Sequence, residues 1–92
     1  MYEITVAVCV YKQKEWLHRC LRSLNSQTLE KSRYEVVVVN DDPNETLDDV
    51  IDIFKEHMNI RVINNEKNLG LPTSLNKILK TSMAKYFVRV DC

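Results

Sequence analysis

Residues 36–39 are four valines in succession, set between Glu35 and Asn40. β-branched side chains favour extended backbone, and along a strand successive side chains point to opposite faces. The run is therefore apolar on both sides. A strand of that kind belongs inside a sheet covered by helices, as the strands of parallel sheets are. The stretch EITVAVCVY (3–11) has the same character, with Ile4, Val6, Val8 and Val10 on one face and Ala7, Cys9 and Tyr11 on the other. Between the two runs, Leu17, Cys20, Leu21 and Leu24 fall at i, i+3, i+4 and i+7, the stripe of a helix lying on that sheet.

The alternation continues to the end of the chain. Leu47, Val50, Ile51, Phe54 and Met58 mark a second helix, for which Asn44 or Thr46 is the expected N-cap. NIRVIN (59–64) reads as a third strand, LPTSLNKILKTSM (71–83) as a third helix with Pro72 in its first turn, and KYFVRVD (85–91) as a fourth strand. The order β-α-β-α-β-α-β predicts an α/β fold: a parallel sheet with right-handed crossovers and helices on both faces. At 92 residues the chain makes a single small domain, which buries only about 60–65% of its unfolded surface.

Composition removes several classes. Thirteen basic residues balance thirteen acidic ones, and with no basic cluster nucleic acid is not the expected partner. No apolar run reaches the roughly 20 residues of a membrane span. The amino terminus lacks the pattern of a secretory signal, so a cytoplasmic location is expected. Cys9, Cys20 and Cys92 are too few and too irregularly spaced for a disulfide framework or a zinc site. Cys9 and Cys20 fall at strand and helix positions where a small buried hydrophobe is expected rather than a nucleophile.

In an open parallel sheet, ligands bind beyond the carboxyl ends of the strands. The residues there are YKQK (11–14), NDDPN (40–44), NEKNLG (65–70) and DC (91–92). A dinucleotide fingerprint or a P-loop needs glycines in the first βα turn, and the single glycine, Gly70, lies far from it. The paired acids Asp41 and Asp42 suit either of two roles: acceptors for a ligand N–H or ribose hydroxyl, or a plain Asx turn. Gly70 is expected to supply a positive φ to its turn, with Asn68 steadying it. Two carboxylates one residue apart would make a hard-oxygen site for Mg²⁺ or Mn²⁺, but the fourth strand is followed by Asp91 alone.

Taken together these stretches resemble the start of the family 2 glycosyltransferases of GT-A fold. That family opens on a strand of the VVIPTYN kind, here VAVCVYK, and continues with a helix ending in SLLSQT, here SLNSQT (23–28). EIIVVDDGS is matched by EVVVVNDDPN (35–44), NEKNLGLSAARNAGL by NEKNLGLPTSLNKIL (65–79), and EYIVFLDADD, which holds the family's D-x-D motif, by KYFVRVDC. The resemblance implies a strand order of 3-2-1-4. It also implies that the chain is the truncated amino-terminal, nucleotide-binding part of a longer enzyme, ending inside D-x-D with Asp91 as the first acid and Cys92 as the middle position.

It further implies roles. Val10 and Tyr11 would lie beside the base, mostly through backbone groups. Asp41 would accept the uracil N3–H, with Asp42 as the alternative should the acidic pair align one residue later. Asp91 would face the ribose or the diphosphate and its metal, Mn²⁺ or Mg²⁺. The expected ligand is a nucleoside diphosphate sugar, a UDP-sugar, and the acceptor a saccharide or lipid-linked hydroxyl. The general base and acceptor site would lie past D-x-D, so the chain alone is expected to be inactive. Three departures stand out: Lys12 replaces the asparagine after the tyrosine, Asp42–Pro43–Asn44 replaces the end of DDGS, and Leu75 replaces the arginine of the third helix. Lys77 is turned about 160–200° from position 75 around the helix axis and is expected to be a poor substitute. The fourth strand, with Tyr86, Phe87, Val88 and Val90, would form an open edge that invites self-association. Two other readings remain beside this one. A nucleotidyltransferase would need a glycine-rich basic loop after the first strand, which is not seen, and a non-catalytic α/β binding module would need no catalytic residues.

Overall fold

The computed structural model describes residues 2–27 and 30–90. Four strands, β1 (Ile4–Val10), β2 (Tyr34–Asn40), β3 (Ile60–Asn64) and β4 (Tyr86–Arg89), form one sheet in the order β3-β2-β1-β4. All three pairings are parallel. The helices are α1 (Lys14–Asn25), α2 (Asp48–Phe54) and α3 (Leu71–Thr81), and a single 3-10 turn (Lys31–Arg33) leads into β2. Asp91, assigned above to ribose and metal, lies outside the described residues, as does Cys92.

The two-sided greasiness of the central strands has the expected cause. Val6, Val8 and Val10 of β1 and Val36 and Val38 of β2 pack with Leu17 and Leu21 of α1 and with Val50, Ile51 and Phe54 of α2. On the other face Ala7, Val37 and Val39 pack against Ile78 of α3, with Leu75 and Phe87 at the margin. Val36 to Val39 are all fully buried, and each buried valine contributes roughly 1.5–3 kcal/mol. Cys20 is buried on α1, while Cys9 is half-buried against the α3-side cluster.

The start of α2 differs from expectation. Neither Asn44 nor Thr46 is its N-cap; Leu47 precedes the helix and no side chain caps it. Thr46 Oγ1 does accept the Asp48 N–H (3.3 Å), one residue early. The Asn44 N–H instead donates to Asp42 Oδ1 (3.0 Å), which commits that residue to the preceding loop. Leu47 is 1% exposed, so burial of its side chain fixes the entry to α2 in place of a polar cap. β4 is an edge strand, with Tyr86 and Val88 about half exposed.

Candidate functional site

The strand register sets the site. Val10 pairs with Asn40 and Asn40 with Asn64, so Tyr11, Asp41 and Asn65 form the next row, just past the ends of three adjacent strands. The ladder runs one step further into that row: the Asp41 N–H donates to the Val10 carbonyl (2.8 Å) and the Asn65 N–H to the Asn40 carbonyl (2.9 Å). Period-two alternation then turns Asp41, like Val37 and Val39, towards α3.

Asp41 is 5% exposed. Its Oδ1 accepts from Asn65 Nδ2 (2.7 Å) and the Leu69 N–H (2.8 Å), and its Oδ2 from the Gly70 N–H (2.9 Å). Gly70, at φ 85°, has the positive φ expected of it. The turn is steadied from across the sheet by Asp41 rather than by Asn68. Asn65 is also buried, and both ends of its amide are engaged: Nδ2 donates a second time to Ser74 Oγ (3.1 Å) and Oδ1 accepts from Lys77 Nζ (2.6 Å). Burial pushes the Asp41 pKa upward, but the bonds from Leu69, Asn65 and Gly70, together with the Lys77 ammonium, outweigh it. The carboxyl is held below its ordinary value and stays ionised.

A cleft of about 120 Å³ opens beside this carboxylate, lined by Cys9, Val10, Tyr11, Gln13, Asp41, Leu71 and Ser74. At about 30 Å³ per water this is room for some four waters or one small ring. A carboxylate has about four acceptor positions. Three are taken, two on Oδ1 and one on Oδ2, so the position left for a ligand N–H belongs to Oδ2. Val10 turns its side chain into the core and offers the cleft backbone, whereas Tyr11, 44% exposed, offers its ring.

The structure thus brings Val10, Tyr11 and Asp41 together and separates Asp42 from them. Asp42 lines a different hollow, about 350 Å³, with Asn40, Glu45, Asn64 and Glu66. Its Oδ1 holds the Asn44 N–H and its own N–H donates to Asn40 Oδ1 (3.1 Å). Lys77 needs correcting in one respect. It is turned away from position 75 as expected, but it is the side of α3 carrying Ser74 and Lys77 that meets the site, while Leu75 packs against the apolar cluster. Among the described residues no group of three or more Asp, Glu, His or Cys side chains is placed to hold a metal ion. Asp91 alone supplies one carboxylate, fewer oxygens than a hard divalent cation takes from its ligands.

The family model described as Glycosyl transferase family 2 matches residues 5–92. The chain belongs to glycosyl transferase family 2. Among its family 2 relatives, an uncharacterized glycosyltransferase of Haemophilus influenzae is 35% identical over 96% of this chain and 27% of that protein. The poly(ribitol-phosphate) beta-glucosyltransferase of Bacillus spizizenii is 30% identical over 97% of this chain and 14% of that protein. Crystalline Staphylococcus aureus TarS in complex with UDP superposes with a TM-score of 0.87 at 28% identity, over 99% of this chain and 27% of that one. This family 2 chain therefore spans about a quarter or less of the length of each of these relatives.

Proposed function

We propose that this family 2 chain is the donor-nucleotide portion of a glycosyltransferase that moves a sugar from a UDP-sugar to an acceptor hydroxyl, on a saccharide or a lipid-linked carrier. The observation that carries the proposal is the cleft beside Asp41. It joins a small ring-sized space, an exposed tyrosine face and one spare acceptor position on an ionised carboxylate. A uracil ring stacked on Tyr11 would give its single N3–H to Asp41 Oδ2, with the Val10–Tyr11 backbone along its edge; stacking on an aromatic contributes about 1–3 kcal/mol. The UDP held by TarS supports the choice of nucleotide. Asp42, the alternative acceptor, lines another hollow, which favours Asp41. The ion expected at Asp91, Mn²⁺ or Mg²⁺, belongs to this proposal as an assignment only. So do a cytoplasmic location and self-association through the exposed Tyr86 and Val88 of β4.

The test is an NMR titration of the chain with UDP, followed residue by residue, with and without Mn²⁺. Shifts are expected at 9–13, 41 and 69–74, and little elsewhere on the sheet. Shifts confined to the Asp42–Glu66 hollow, or no saturable shift at millimolar UDP, would remove the proposal.

A further inference from the structure

The first βα turn departs from ordinary backbone geometry at a residue the base-binding reading leaves without a task. Lys12 has φ 56°, in the left-handed region that asparagine and glycine tolerate and long side chains avoid. It stands between Tyr11 and Gln13, both of which line the cleft. Its side chain is exposed, and its ammonium lies 5.3 Å from the centroid of the Tyr11 ring, which lines that cleft. None of the ion pairs among the described residues involves it.

Two other cations near this end of the sheet are engaged elsewhere. Lys77 is bound to Asn65 beneath the cleft, and Lys14 pairs with Asp49 (2.7 Å) between α1 and α2. On α3, the residue at the arginine position of the resemblance is Leu75, packed against Val37, Val39 and Ile78. A nucleotide whose base enters beside Asp41 must carry its phosphates out of the cleft, and Lys12 stands next to Tyr11 there with no ion pair among the described residues.

We propose that Lys12 is a diphosphate-binding residue: its ammonium, presented by the left-handed turn at the rim of the cleft, holds the diphosphate of the nucleotide whose base lies against Tyr11 and Asp41. The proposal rests on the nucleotide reading above. Lysine suits this contact because a point charge on a flexible stem can follow a diphosphate. Because the group is exposed, its attraction is screened by salt, with a Debye length of about 8 Å at 0.15 M.

Uridine and UDP are titrated against the full chain, Lys12→Met and Lys12→Arg, at low and at physiological salt. Methionine removes the charge without relieving the backbone; arginine keeps both. The wild type is expected to bind UDP more tightly than uridine, with an advantage that shrinks as salt rises. Lys12→Met should lose about tenfold in UDP affinity, leave uridine unchanged and flatten the salt dependence, while Lys12→Arg should stay within about twofold of wild type. Equal UDP affinity in wild type and Lys12→Met, or equal losses for uridine and UDP, would overturn the assignment. A wild type that binds uridine but gains nothing from the diphosphate overturns it too, with the base site intact. Binding of neither ligand removes the base site and this proposal with it.

Discussion

The α3 face of the sheet carries a polar cluster at each end, and the two hold their carboxylates differently. At the carboxyl end, Asp41 is buried and accepts three hydrogen bonds, two of them from backbone N–H groups of the loop before α3. At the amino end, Glu35 accepts from Thr5 Oγ1 (3.2 Å) and, at 3.4 Å, from Arg61, whose side chain is 40% exposed. Arg61 divides itself further, donating to Thr81 Oγ1 (3.0 Å). The hollow beside Glu35 is the larger, about 430 Å³ against about 120 Å³, yet its acid already faces a base, Arg61, at 3.4 Å. Size alone is therefore a poor guide to a site in a sheet like this one. What distinguishes the carboxyl end is a buried acid fixed by backbone N–H groups.

Breaking the Asp41 cluster should have the larger effect. Asp41→Asn puts an NH₂ group where N–H donors converge and leaves at least one of them unsatisfied, so a loss of about 3 kcal/mol is expected in urea unfolding at pH 7. The same variant sharpens the electrostatic side. The Asp41 pKa is depressed in the folded state, so its stabilisation is fully present above the ordinary carboxylate value, about 3.9. It is lost as pH falls through the lower folded value. The gap between wild type and Asp41→Asn should therefore begin to narrow as pH falls below about 4, and a gap that stays constant on further acidification would contradict the pairing described here. The smaller effect belongs to the other end. Glu35→Gln keeps an acceptor for Thr5 and gives up only a long, half-exposed ion pair, so its unfolding free energy should stay within about 1 kcal/mol of wild type. A cost equal to that of Asp41→Asn would erase the distinction between the two clusters.

The same contrast shows what a sequence can disclose. The valine run and the helix stripes made the layers legible, because burial on two faces or on one leaves a periodic trace. Asp41 was legible as the residue after a strand. The choice of Asp41 over Asp42 at the cleft was not, since adjacent residues on an extended chain face opposite ways and only the register with β1 and β3 says which way is which. Asn65 continues the alternation that puts Ile63 on the α3 face, and Ser74 precedes Ile78 by one helical turn, so both were within reach of a stricter phase count. Lys77 was not. Its bond to Asn65 spans the gap between a helix and a strand end, and no spacing along the chain encodes that distance. The start of α2 departs from expectation because Asn44 and Thr46 have the right chemistry but are committed to the loop, and burial of Leu47 fixes the helix start instead.

Gly70 has an unusual freedom and an unusual confinement. A methyl group built on its Cα would meet no atom within 4 Å, yet its φ of 85° is one that side-chain-bearing residues rarely adopt. Tolerance at this position is thus a matter of angle and not of volume. With ψ at 165° the residue lies outside the left-handed helical region that asparagine accepts, so asparagine and alanine alike should be costly there despite the open space.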